Sequence, residues 1–151
     1  MNSIDSQHEK MAHGQQSLPL IEVVAGIIWR DNLFLAAKRV PPSPLAGFWE
    51  FPGGKCHANE TFEEALKREL DEELGIQACE LSAWLTHDYA YTKEGYRVRL
   101  HFFHVTKHTG EALPREGQIL RWVTPSDALK LPFLPADKPI ISAIAALKNL
   151  P

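Results

Sequence analysis

The stretch Gly54-Lys55-Cys56-His57-Ala58-Asn59-Glu60-Thr61, continuing through Leu66-Lys67-Arg68-Glu69-Leu70-Asp71-Glu72-Glu73-Leu74-Gly75-Ile76, decides how the rest of the chain reads. From Thr61 it predicts a helix. Thr61 is a capping hydroxyl with Glu64 three residues on, the interior is rich in Ala, Leu, Glu and Lys, and Gly75 stands where a left-handed C-terminal residue is wanted. At about 100° per residue, Glu69, Glu72 and Glu73 fall within an arc of roughly 100° on one face. Like charges at this spacing repel, so the cluster calls for a counter-charge. A hard divalent cation bound through oxygen supplies one, and Mg²⁺ in particular takes a few carboxylates and leaves its other positions to water and phosphates. The competing reading is a solvated helix face, with Lys67, Arg68 and Asp71 mixing the surface charge.

The spacing of the whole string separates the two. Gly54, five residues, Glu60, seven residues, then Arg68-Glu69-Leu70-x-Glu72-Glu73-x-Gly75-Ile76 resembles the complete Nudix box, with every fixed position filled. Outside it, Gly47-Phe48-Trp49-Glu50-Phe51-Pro52-Gly53, Arg115-Glu116-Gly117-Gln118 and Leu134-Pro135-Ala136-Asp137-Lys138-Pro139 are similar to the MutT type of Nudix hydrolase, so the resemblance spans most of the chain after about Leu20. It implies an α/β Nudix fold, a mixed β-sheet sandwiched between helices, with the box helix on one side and a terminal helix on the other. It also implies water attack on a nucleoside triphosphate to give the monophosphate and pyrophosphate, with Mg²⁺, or Mn²⁺ in its place, as cofactor.

Length and composition agree with this and narrow it. A chain of 151 residues is one domain, with 1–17 expected to be a disordered or tag-like tail and 18–151 the hydrolase domain. Sixteen basic against nineteen acidic residues leave a net charge of −3, no electrostatic footprint for stable nucleic-acid binding. Cys56 and Cys79 form neither a disulfide framework nor a metal spacing, no apolar run approaches a membrane span, and the first residues lack signal-peptide order. The expectation is a cytoplasmic protein without a membrane partner, a monomer or small homo-oligomer.

In chain order, Ile21 to Trp29 is β-branched and apolar, the pattern of a doubly buried strand, and Arg30-Asp31-Asn32 turns it into a second strand from Leu33 to Ala37. Val40 to Leu45, with three prolines, is a loop, and Trp49 to Phe51 a short strand. Pro52-Gly53-Gly54 reads as a turn in which a carbonyl can approach a ligand closely, and Lys55 is a candidate phosphate contact beside an ordinary exposed lysine. Glu60 is a candidate for holding the loop or for a further metal ligand. Leu81 to His87 predicts a strand, Tyr89 to Gly95 a loop, and Arg97 to Val105 an alternating strand with Val98, Leu100, Phe102 and His104 on one face. His101 and His104 then point to opposite faces and cannot share a metal. Lys107 to Gln118 predicts a loop, Leu120 to Val123 a strand, Thr124-Pro125 a short helical turn, and Ile140, Ile141, Ile144 and Leu147 the apolar stripe of a terminal helix. Asp137 stands at its start, where an N-cap explains it without function.

The resemblance assigns the site residue by residue. Glu69, Glu72 and Glu73, the Gly53 carbonyl and Glu116 are the implied metal ligands. Arg39 lies where the family places an arginine near the phosphates, with Lys55 and the ring of Phe51 as further substrate contacts. Arg68 orients the glutamates by ion pairing. Either Glu69 or Glu116 takes the proton from the attacking water, with Glu69 preferred and Glu72 completing the catalytic set. Asp137 occupies the base-reading position, often asparagine in the family; a carboxylate accepts hydrogen bonds and donates only when protonated, which opens the identity of the base. The leading substrate is 8-oxo-dGTP, in sanitation of the nucleotide pool, with CTP or a modified dCTP as rival. From another class, a non-catalytic nucleotide- or base-binding Nudix module is the alternative, for which loss of metal-binding glutamates is expected; here they are complete.

Overall fold

The protein, described here over residues 17–151 of a computed structural model, is built on a mixed sheet of seven strands. The proposed tail lies outside the described residues except for Ser17. The first strand, β1 (Leu20–Arg30), turns through Asp31, held at φ 56°, into β2 (Leu33–Lys38). There follow β3 (Trp49–Glu50), β4 (Gly53–Lys55), helix α1 (Phe62–Leu74), β5 (Gln77–Tyr91), β6 (Tyr96–Thr109), β7 (Ile119–Val123), helix α2 (Pro125–Ala128) and helix α3 (Lys138–Ala145).

β1 is the hub. Its N-terminal part lies between antiparallel β4 and parallel β6, and its C-terminal end pairs with β2, which carries β3 on one edge and β7 on the other. Two apolar clusters flank the sheet. Val24, Ile28, Phe103 and Val105 meet Leu66, Leu70 and Leu74 of α1 on one face. On the other, Ala25, Ile27, Phe34, Phe51 and Phe102 meet Ile140, Ile141 and Ile144 of α3. The expected sandwich of helix, sheet and helix is therefore present.

The expected Lys107–Gln118 loop starts later, because β6 runs to Thr109, and two further expectations change. Pro52-Gly53-Gly54 does not simply turn, because Gly53 to Lys55 is a strand paired with Ala25 to Val23. The glycines are needed for closeness: a Cβ on Gly53 would sit 1.9 Å from the Val24 carbonyl oxygen, and one on Gly54 would sit 2.5 Å from the Glu69 carboxyl. Tyr89 to Tyr91 also remain in β5, which runs through register shifts to pair with β6 as far as Tyr91 opposite Tyr96. A strand of fifteen residues hides its alternation when it bulges twice near its start.

Candidate active site

Helix α1 begins and ends where its sequence says. The Thr61 hydroxyl accepts from Glu64 N–H at 3.1 Å, and Gly75 adopts φ 71°, returning its N–H to the Asp71 carbonyl at 2.9 Å. Ala65, Leu66, Leu70 and Leu74 face the sheet, so the helix presents Arg68, Glu69, Glu72 and Glu73 along its side next to β4.

Arg68 organises that side. Its guanidinium donates to both Glu60 oxygens at 2.7 and 3.1 Å, to Glu69 Oε1 at 2.8 Å, to Glu72 Oε2 at 3.3 Å and to the Lys55 carbonyl at 3.0 Å. Glu60, of its two candidate roles, takes the loop-holding one: its other contact is the His57 N–H at 2.6 Å, and Arg68 together with that N–H lowers its carboxyl to about 2. One arginine thus ties the loop, β4 and two box carboxylates together.

Glu73 is the outlier among them. Its Oε2 accepts from the Gly53 N–H at 2.9 Å, latching it to β4, but the side chain is half-buried and no described cation pairs with it. Burial raises its carboxyl to about 9, helped by the charges of Glu116, Glu50 and Glu69. Four carboxylates therefore share one small volume.

Glu116 arrives by way of helix capping. The last turn of α1 leaves carbonyls unpaired, and the segment after β6 satisfies them: Leu113 N–H bonds the Leu74 carbonyl at 3.0 Å, Arg115 N–H the Glu73 carbonyl at 3.1 Å, and Gln118 Nε2 the same carbonyl at 3.3 Å. Gln118 Oε1 then accepts from Glu116 N–H at 2.9 Å. The loop that closes the helix end is what carries the fourth carboxylate in.

Glu50, on β3, is the site residue that sequence reading passed over. Burial raises its carboxyl, while Arg39 opposes that and Glu116 adds to it. The available signal was a single charge inside the apolar run Phe48 to Phe51. The partner of Glu50 is Arg39, expected near the phosphates: Arg39 Nε donates to Glu50 Oε2 at 2.9 Å and another guanidinium nitrogen to the Pro44 carbonyl at 3.1 Å, so both held positions face protein in this structure. Phe51 departs from its expected role. Its ring is 5% exposed and packs on Phe34, Phe102 and Phe133, leaving no face for a base. Lys55, by contrast, is exposed on β4 and makes no ion pair among the described residues.

Asp137 precedes α3 but does not cap it. Its backbone is already helical, its side chain makes no capping bond, and at 4% exposure it accepts instead from the Phe51 backbone N–H. Burial, with Glu50 adding and Arg39 opposing, raises its carboxyl well above the ordinary range. The acid at this position therefore has no capping duty and is held by the Phe51 N–H.

The donor set suits a hard divalent cation in chemistry. Glu69, Glu72, Glu73 and Glu116 offer carboxylate oxygens, Gly53 offers a carbonyl, and the repulsion felt by Glu73 is what such a cation relieves. In the arrangement described, Arg68 draws Glu69 and Glu72 to itself, and no three carboxylates among the described residues are closed into a ready cage.

A mixed sheet between helices, with an acidic helix latched against a glycine-bearing edge strand, defines a hydrolase of the α/β/α sandwich class. The chain belongs to the NUDIX domain family, whose sequence model matches residues 20–144, and enzymes of this family work with divalent cations. It is 42% identical over 131 residues to a CTP pyrophosphohydrolase of Escherichia coli strain K12, covering 87% of this chain and 96% of that one. It is 40% identical over 133 residues to a putative 8-oxo-dGTP diphosphatase 2 of Mycobacterium tuberculosis, covering 84% and 89%. Among solved structures, that of the E. coli ORF135 protein superposes with a TM-score of 0.75 at 39% identity, covering 90% of this chain and 98% of that one. That of MutT from Aliivibrio salmonicida and Vibrio cholerae gives 0.71 at 35% identity, covering 84% and 97%. No described helix is long and apolar enough to cross a membrane.

Proposed function

We propose that the protein hydrolyses a nucleoside triphosphate to the monophosphate and pyrophosphate, with 8-oxo-dGTP as leading substrate and cytidine triphosphates as the second. The observation that carries this is the convergence of Glu69, Glu73, Glu116 and Glu50 on the Gly53 edge. Glu69, Glu72, Glu73, Glu116 and the Gly53 carbonyl would hold Mg²⁺, which would supply polarisation of phosphoryl oxygens and acidification of water. Arg68 keeps Glu69 and Glu72 oriented, Lys55 meets the phosphate chain as a point charge, and Glu69 takes the proton of the attacking water.

Asp137 reads the base. When protonated, the form its burial favours, it offers one donor beside one acceptor. 8-Oxoguanine presents N7–H beside O6, where guanine has two acceptors; cytosine presents its N4 amino group beside N3. The same acid therefore suits both and disfavours unmodified guanine. The second reading, a CTP or modified dCTP hydrolase, is favoured by the likeness to the E. coli CTP pyrophosphohydrolase.

The test is the initial rate of pyrophosphate release with Mg²⁺ from 8-oxo-dGTP, dGTP, CTP and 5-methyl-dCTP at low, equal concentrations, which compares kcat/KM. A rate with 8-oxo-dGTP at least about tenfold above the other three supports the leading reading. Cytidines ahead of 8-oxo-dGTP move the assignment to the second. No turnover of any of them, with binding retained, indicates a non-catalytic module.

A further inference from the structure

The last turn of α1 is unfavourable by its own sequence. It carries Asp71, Glu72 and Glu73 and no basic residue, although a helix C-terminus is the negative end of the dipole. The missing cation comes from 44 residues further along the chain: Arg115 Nη1 donates to the Asp71 carbonyl at 3.1 Å. The Arg115 N–H meanwhile takes the Glu73 carbonyl at 3.1 Å, so side chain and backbone grip the same turn.

Two glycines make room for this grip. Gly75 ends the helix at φ 71°, and a Cβ there would sit 2.6, 2.7 and 2.8 Å from three atoms of the Arg115 guanidinium. Gly110, at φ 89°, passes so close that its own Cβ would stand 2.9 Å from the Gly75 carbonyl oxygen. Gly75 is therefore needed twice, for its torsion and for the space that the guanidinium fills.

Glu116 follows Arg115 directly. It is exposed, and its carboxyl takes no hydrogen bond among the described residues, so its place depends on how its backbone is held. Arg115 fixes that backbone on one side, and on the other Gln118 bridges the Glu73 carbonyl to the Glu116 N–H. Held there, the Glu116 charge is felt at both Glu73 and Glu50.

We propose that Arg115 is a positioning residue of the cation site: clamped across Gly75 onto the last turn of α1, it holds Glu116 beside Glu73 and thereby raises the affinity of the site for a divalent cation. This rests on the reading of Glu73 and Glu116 as ligands. The sign of the effect separates a clamp from simple electrostatics. A guanidinium near the site repels a cation, so loss of its charge alone tightens binding, whereas loss of a clamp weakens it.

The test is the binding of Mn²⁺ without substrate, followed by the electron paramagnetic resonance of the free ion. Arg115→Met keeps the length of the side chain and removes its charge and donors. Gly75→Asn keeps the charge, tolerates the left-handed torsion and puts a side chain where the guanidinium lies. Each is expected to raise the Kd for Mn²⁺ about tenfold, as residues that orient metal ligands do, with kcat at saturating cation within about threefold. Arg115→Lys, which keeps a donor for the Asp71 carbonyl, returns the Kd to within about threefold of the parent. In the Glu116→Gln background neither substitution has a further effect, because the carboxylate it places is gone. In EDTA, hydrogen exchange of the Glu116 amide speeds up about tenfold in Arg115→Met.

Unchanged or tighter Mn²⁺ binding in Arg115→Met overturns the proposal. So does a loss that persists in full in the Glu116→Gln background, which is general disruption of the helix end, and so does unchanged exchange of the Glu116 amide. A parent that binds no Mn²⁺, or a Glu116→Gln variant that binds it as tightly as the parent, overturns the reading of Glu116 as a ligand and the proposal with it.

Discussion

Glu73→Gln removes one ionisable group from a crowd of four and leaves the shape of the side chain unchanged. In the cation-free protein the Glu73 carboxyl sits at about 9 against an ordinary 4.5, from burial first and then from Glu116, Glu50 and Glu69. Because the folded value lies above the unfolded one, the folded state keeps a proton that the unfolded chain releases once the pH passes about 4.5. Stability is thus fully present below about 4.5, falls as the pH rises, and levels off near 9. Between pH 4.5 and 7 the loss has a ceiling of about 3 kcal/mol, which water entry and relaxation reduce to about 1–3 kcal/mol.

Glutamine keeps an acceptor for the Gly53 N–H and turns its amide hydrogens toward the neighbouring carboxylates. In EDTA at about pH 8, Glu73→Gln is expected to melt roughly 3–8 °C above the parent, and at about pH 4.5 the two should coincide. Adding a divalent cation should then raise the parent more than the variant. Thermal melts by circular dichroism across this pH range decide it. A variant no more stable than the parent at pH 8, or a gap that widens toward pH 4.5, refutes the claim that carboxylate crowding strains this edge.

Gly54→Ala places a methyl 2.5 Å from the Glu69 carboxyl and is expected to lower kcat by about 100-fold or more while the far-ultraviolet spectrum stays native. Arg68→Ala frees Glu60, Glu69 and Glu72 together; an urea-melt loss of about 2 kcal/mol and a fall in kcat exceeding any rise in KM are expected, and an unchanged kcat would refute its orienting role. For Asp137, burial favours the protonated acid, so the donor is lost as the pH climbs through the raised folded value, and kcat/KM for the preferred base should fall on the alkaline side of it. Asp137→Asn, whose amide donates at every pH, should abolish that limb and keep most neutral-pH activity; an identical alkaline limb in both proteins would mean that another group produces it.

Helix α1 and its chemistry were legible in the sequence because the causes are local. Thr61 reaches the N–H three residues on, Gly75 closes on Asp71, and the placement of Glu69, Glu72 and Glu73 follows from the helix repeat. The apolar alternation of β6 was legible for the same reason, down to the opposite facing of His101 and His104. Glu116 and Asp137 came from the resemblance, and neither its loop nor its neighbours predicted where either would sit.

What the tertiary structure alone decided involves partners far apart in the chain. Glycines 53 and 54 looked like a turn until β1 came alongside and made them a strand with no room for a Cβ. The Glu50 partner of Arg39 came only when β3 lay beside β2, and Phe51 looked available to a base until Phe34, Phe102 and Phe133 closed around its ring. The parallel pairing of β1 with β6 joins Leu20 to Arg97, a register that no local pattern encodes. Local geometry is set by torsions and neighbours within about four residues, which the sequence lists in order. Burial, ion pairing and the lifting of a carboxyl such as Glu73 depend on the distances between groups brought together by folding, and those exist only in three dimensions.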